Sequence, residues 1–239
     1  MTGSSRGIGR AIALAYADEG ADVGINYRTA ESEARELAAE IESLGRRAVV
    51  VKANVSQADQ VQSMVDNVLA EFGRIDILVN NAGFVTLAPV HRMSVEQWDE
   101  MIGTHLRGTF LVTRAVLPGM LERGDGRIIN VSSQLGQIGR EWMAHYAAAK
   151  AGIIGFTKSL AREVVKQGVL VNCIAPGPID TGIVPEGAGQ PVTNYDQMLP
   201  IGRPGTVDEV APTAVFLASD AASYYVGQTL GPNGGDVML

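Results

Sequence analysis

Apolar positions along the 239-residue chain fall into two regimes, short solid runs and longer stretches with helical spacing, and the two alternate from end to end. After a glycine-rich opening, Ile8, Ala11, Ile12, Ala15 and Tyr16 recur at helical intervals until Gly20. Asp22–Tyr27 reads as a strand, and a charged helix over about 30–44 ends at Gly45. Val49–Val51 is a short buried strand, and Ser56 is the expected N-cap of a helix reaching Phe72. The run 75–79 is the next strand. A long helical region then spans Ser94 to about Arg123, carrying Trp98, Met101, Ile102, Leu106, Phe110, Leu111 and Val112. Ile128–Val131 is a strand, Tyr146–Gln167 lies in a helix, and Val169–Ala175 is a strand again. Asp208–Leu217 is the last helix and Gln228–Gly235 a final strand and turn. This alternation predicts an α/β fold with a doubly wound parallel sheet and right-handed crossovers. No linker interrupts it, so residues 1–239 are expected to form a single domain.

Composition narrows the function classes. With 46% hydrophobic and 19% charged residues the chain is not disordered, and its central strands can be buried on both faces. A formal net charge of −7 argues against nucleic acid and anionic membrane partners. The single Cys173 excludes a disulfide framework and fits a cytoplasmic setting. No apolar run has the length of a membrane span. The three histidines, His91, His105 and His145, lack ligand spacing, so no metal site is expected.

The strongest chemical candidate is Tyr146-Ala-Ala-Ala-Lys150 together with Ser133. Residues four apart on a helix share a face, so the phenol and the ammonium point into one pocket. A cation beside a phenol is expected to pull its pKa down from about 10, making it serviceable in proton transfer near neutrality. Ser133, at the carboxyl end of a strand, supplies a hydroxyl for a carbonyl oxygen gaining charge. The opening Gly3-Ser4-Ser5-Arg6-Gly7-Ile8-Gly9 runs into a helix and can bring backbone amides up to a pyrophosphate. In dinucleotide folds an acid after the next strand holds the adenosine ribose, while a base accommodates a 2′-phosphate. Tyr27 and Arg28 stand there, with Arg6 nearby, so NADP is favoured and NAD is the alternative. Asn80-Asn81-Ala82-Gly83 ends a strand in small and amide residues, where open α/β sheets bind ligands. The Gly- and Pro-rich stretch 182–205 reads as a substrate lid.

These motifs, in this order and nearly over the whole length, resemble the short-chain dehydrogenase/reductase family, and most of all its 3-oxoacyl-[acyl-carrier-protein] reductase branch. The residues that carry the likeness are Thr2–Gly9, Asn80–Gly83, Ser133, Tyr146–Lys150, Pro176-Gly177 and Asn233-Gly234-Gly235. The resemblance implies a Rossmann fold and an oxidoreductase in which Tyr146 donates a proton as hydride arrives, Lys150 tunes it and holds the nicotinamide ribose, and Ser133 orients the carbonyl. It also implies that Arg6, Arg28, Asn54, Val55, Asn81, Ala82 and Gly83 line the adenosine and ribose side of the cofactor. Pro176, Gly177, Ile179 and Thr181 would meet the carboxamide and diphosphate. The expected partner is a small-molecule ketone or acyl-thioester substrate, and the family's habit implies a homotetramer.

Three departures stand out. His105 occupies the position of a family asparagine that fixes a relay water, so it either substitutes in the relay or impairs it. The first strand of the sheet reads as truncated, which predicts several more apolar residues before Met1. Gly124 and Gln167 align with arginines that dock the acyl carrier, which keeps a coenzyme A thioester or a freely diffusing ketone open as substrate. Two other readings remain at this level: a sugar, polyol or steroid alcohol dehydrogenase, and a non-catalytic dinucleotide-binding protein.

Overall fold

The computed structural model describes residues 1–182 and 195–238. Helix α1 (Gly7–Asp18) follows the glycine turn at once, then β1 (Val23–Tyr27), α2 (Glu31–Ser43), β2 (Ala48–Lys52), α3 (Ala58–Phe72) and β3 (Ile77–Asn80). α4 (Val95–Ile102) passes through a π-turn at Gly103–Arg107 into α5 (Gly108–Arg123), and β4 (Gly126–Val131), α6 (Leu135–Ile138), α7 (Ala144–Val164) and β5 (Val169–Ile174) come next. The chain finishes with β6 (Ile179–Asp180), α8 (Tyr195–Met198), β7 (Gly205–Thr206), α9 (Val207–Ala218) and β8 (Thr229–Leu230).

All pairings are parallel: β1 with β2, and β3, β4, β5 and β8 in that order. Met1–Ser4 lies between the two groups. The Met1 amine donates to Gly24 O (2.8 Å), Asn26 N to Met1 O (3.2 Å), Thr2 N to Val79 O (3.0 Å) and Ser4 N to Asn26 O (3.1 Å). These residues thus pair with the backbone of β1 at Gly24 and Asn26 and of β3 at Val79.

Helices cover both faces. One core joins β3–β5 with α3, α5 and α7 through Leu78, Ile128, Val171, Met120 and Leu160. A second packs α1 and α9 on the other face through Ile12, Tyr16, Ile129, Ile174 and Leu217. β5 is buried at every residue, as expected of a central strand covered on both sides.

Some sequence expectations shift. The first α3 residue is Ala58 and its N-cap is Gln57, not Ser56, because Ser56 is drawn into a turn by Asn54 Oδ1, which accepts from Ser56 N (3.1 Å) and Oγ (2.9 Å). The long helical region from Ser94 starts with the Ser94–Gln97 capping box and runs to Arg123 as expected, but a π-turn at Gly103–Arg107 widens it around His105. The last strand is only Thr229–Leu230. Of the lid stretch, residues 183–194 lie outside the described residues; 195–205 form α8 and the approach to β7. No helix among the described residues is long and apolar enough to cross a membrane.

Candidate active site

The carboxyl ends of the strands deliver the expected residues to one edge of the sheet. β4 ends at Val131, and the Ser132-Ser133 turn is stitched to α7: Ser132 Oγ donates to Lys150 O (2.8 Å) and Lys150 Nζ to Val131 O (2.7 Å). A Cβ on Gly136 would lie 2.7 Å from Lys150 C, so only glycine lets the α6 turn come this close. Ser133 is buried, its hydroxyl accepts from Leu135 N (3.1 Å), and it forms a side-chain hydrogen bond with Tyr146. Lys150, 4% exposed, lies with Nζ 5.6 Å from the centroid of the Tyr146 ring. The structure thus brings Ser133, Tyr146 and Lys150 together.

Their protonation differs from the sequence expectation. Desolvation pushes the Tyr146 phenol above its ordinary value, and the Ser133 hydrogen bond only partly opposes it. Desolvation outweighs the pull expected of the Lys150 ammonium, which the Val131 carbonyl holds with Nζ 5.6 Å from the ring centroid. Burial instead lowers Lys150 itself to about 8.

His105 is the fourth candidate. It is buried, and its ring meets Tyr146 edge-on with centroids 5.4 Å apart. Nε2 lies 3.1 Å from Phe84 N and 2.8 Å from Phe84 O, while Nδ1 has no hydrogen-bond partner among the described residues. Burial, then the nearby Lys150 charge, holds the imidazole well below its ordinary pKa. A Cβ on Gly83 would overlap this ring, so the glycine makes room for the histidine.

The turn 2–9 is sewn to the β3 end. Asn81 N and Ala82 N donate to Thr2 Oγ1 (3.0 and 3.1 Å), and Asn81 Nδ2 donates to Gly3 O (2.8 Å). Gly3 and Gly7 adopt φ of +58° and +57°, and a side chain on Gly9 would overlap Gly3 O. Arg6 is the exposed N-cap of α1, Ser5 is buried, and Ile8 packs into the α1–α9 core. No side chain caps α1 and no acid stands in its first turn, which leaves its N-terminal amides to an anion.

At the β1 end the ring of Tyr27 is not in the cleft but in the core with Ala34 and Leu37, because its strand position faces α2. Arg28, half-exposed, pairs with Glu100 of α4 (3.3 Å). Asn54 faces the Ser56 turn, and Val55 is buried beneath Gly108. After β5, Pro176 O accepts from Gln134 N (3.0 Å), Gly177 N donates to Pro232 O (3.0 Å), and Ile179 enters β6 shortly before Thr181.

Sequence reasoning missed the support beneath these groups. Asn80 Nδ2 donates to Thr113 Oγ1 (3.0 Å) and Asn130 Oδ1 (2.9 Å), and Asn130 Nδ2 donates to Thr157 Oγ1 (2.9 Å). This buried polar ladder ties β3, β4, α5 and α7 together. Its signal in the sequence is an amide inside each apolar strand. Asn26, which accepts from Gly3 N (3.1 Å) and donates to Ala53 O (3.1 Å), carries the same signal in β1.

Comparison with known proteins agrees with the arrangement. A family model described as enoyl-(acyl carrier protein) reductase matches residues 3–236. A 3-oxoacyl-[acyl-carrier-protein] reductase of Synechocystis sp. is 45% identical over 240 residues, covering 100% of this chain and 96% of that protein. One from Staphylococcus aureus is 41% identical over 238 residues, covering 100% and 97%. Among solved structures, acetoin dehydrogenase YohF from Salmonella typhimurium superposes with a TM-score of 0.90 at 35% identity, covering 98% of this chain and 93% of that one.

Proposed function

The chain belongs to the short-chain dehydrogenase/reductase family, NAD(P)-dependent oxidoreductases acting on CH–OH groups, and on that footing we propose that it reduces a 3-oxoacyl thioester to the 3-hydroxyacyl product with NADPH. The observation that carries the reading is the convergence of Ser133, Tyr146 and Lys150 in a chain whose full-length relatives bear that reductase's name.

The residues present fit a nicotinamide dinucleotide. The uncapped N-terminus of α1, reached through Gly3–Gly9, would take the diphosphate, and Arg28, with Arg6 nearby, would take a 2′-phosphate. Asn81–Gly83 would line the ribose side, and Pro176, Gly177, Ile179 and Thr181 the carboxamide side. When bound, the nicotinamide supplies the hydride.

Tyr146 then performs the acid step. Its raised pKa keeps the hydroxyl protonated at neutral pH, the form a reductase needs in order to give a proton to the developing alkoxide. Ser133 donates a hydrogen bond to the same oxygen and holds it within reach of Tyr146. Lys150, fixed by Val131 O, keeps a positive charge under the phenol and stabilises the phenolate left behind. His105 Nε2 is engaged by the Phe84 backbone, which supports a positioning role over a relay role for that residue.

A second reading, a freely diffusing ketone in place of a carrier-bound one, is favoured by the acidic chain and by Gly124 and Gln167 at the aligned carrier-docking positions. In either reading the protein acts as one dinucleotide-binding and catalytic domain. It assembles as a homotetramer, for which the exposed Phe110 on α5 offers apolar surface. A panel of 3-oxoacyl-carrier, 3-oxoacyl-coenzyme A and simple ketone substrates, assayed in parallel with NADPH and NADH, tests the proposal. Turnover confined to polyols or sugars would sink it.

A further inference from the structure

Two buried imidazoles from different helices grip one short segment. Phe84 is met by His105 Nε2 from the π-turn. Thr86 Oγ1 is 3.0 Å from Nε2 of His145, a fully buried residue in the first turn of α7. Ala88 N donates to Trp142 O (2.9 Å) in the connector just before α7. The segment that follows Gly83 is thus tied through the backbone of Phe84, the side chain of Thr86 and the backbone of Ala88 to the elements around Tyr146.

Both histidines are built to be neutral partners. Nδ1 of each is buried without a hydrogen-bond partner, so a second ring proton would be a buried, unsatisfied donor. Burial lowers His145 as it does His105. The hydroxyl of Thr86 is then the one polar side-chain contact found for the His145 ring among the described residues. His145 precedes Tyr146 in sequence, so a movement of the Thr86–His145 contact is passed directly to the backbone that aims the phenol.

We propose that Thr86 and His145 form a positioning pair that fixes the 84–88 segment against the start of α7 and so sets the alignment of the substrate carbonyl with the Tyr146 hydroxyl. Neither residue touches the reacting atoms. The proposal rests on Tyr146 being the proton donor.

The test compares Thr86→Val, Thr86→Ser, His145→Ala and the Thr86→Val/His145→Ala double variant with the parent and with Tyr146→Phe. Ketone kcat and KM, and cofactor Kd from NADPH fluorescence, are read for each. A sub-ångström to ångström misplacement of reacting groups lowers rate by roughly ten- to a hundredfold. Thr86→Val is expected to lower kcat by about tenfold with cofactor Kd unchanged, and Thr86→Ser to restore it. The double variant should be no slower than the slower single variant, as befits one shared contact. Parent-like kcat in Thr86→Val, no rescue by serine, or multiplicative losses would overturn the pair. If His145→Ala does not fold, the valine and serine variants decide alone. Retained turnover in Tyr146→Phe would instead overturn the proton-donor reading, leaving the two failures distinguishable.

Discussion

Lys150 Nζ hydrogen-bonds the carbonyl of Val131 at 2.7 Å, although the two residues lie nineteen apart in the chain. That bond pins the cation at the end of β4, beneath the Tyr146 ring and beside the Ser132-Ser133 turn. It explains why a buried ammonium survives here at all: the carbonyl and the surrounding fold offset part of its desolvation.

Replacing Tyr146 by Phe removes the proposed proton donor and leaves the ring packing against His105 in place. Ketone reduction should fall by about 10²–10⁴-fold while NADPH affinity stays within about twofold. Steady-state rates with a fluorescence titration of cofactor check both halves.

The lowered pKa of Lys150 has a signed consequence for stability. The unfolded lysine titrates near 10.5 and the folded one near 8, so between these values the unfolded chain binds more protons and stability rises with pH. Below about 8 both states are protonated and the whole cost of burying the charge is present. Tyr16, whose pKa burial raises, opposes this trend above about 10. Lys150→Met should therefore flatten the ligand-free stability profile between pH 8 and 10, with a gain relative to the parent on the order of 2–3 kcal/mol at pH 7. Urea unfolding at several pH values measures it, and an unchanged slope would count against the assignment.

Arg28, the residue proposed to take a 2′-phosphate, forms an ion pair with Glu100 (3.3 Å). Arg28→Ala should raise KM for NADPH by about tenfold and leave NADH nearly unaffected. Glu100→Gln removes a carboxylate that competes with the 2′-phosphate, and should lower KM for NADPH by about two- to fivefold. Parallel kinetics with the two cofactors decide the case.

Gly168, between the end of α7 and β5, has φ +84°, and a Cβ there would overlap Gly124 O. Gly168→Ala should destabilise by about 2–4 kcal/mol, the left-handed backbone and the backbone clash adding together. Gly124→Ala, with φ +68° and nothing within 4 Å of its Cβ, should cost only about 1 kcal/mol. Thermal melts of both variants compare the two terms.

The local periods were legible at once. Strands such as Val169–Ile174 and the helix that puts Tyr146 four residues before Lys150 depend on spacing alone, and glycine at positions 3 and 7 marks backbone that other residues avoid. The order of motifs also announced the family, and full-length relatives agree with it. Where local signals competed, details moved: the Asn54 turn took Ser56 from the helix cap, and a π-turn widened the long helix around His105.

The sequence by itself determined the main strands and helices, that they wind into a parallel sheet, and which residues stand at the strand ends, because each follows from spacing within a few residues; the short α6, β6, α8 and β7 carry no such period. Tertiary structure decided what those residues touch. His105 reaches Phe84, His145 reaches Thr86 and Arg28 reaches Glu100 across separations of 21, 59 and 72 residues. It also decided the charge states, raising the pKa of a tyrosine expected to be lowered and lowering that of Lys150, because desolvation depends on atoms brought together from the whole chain.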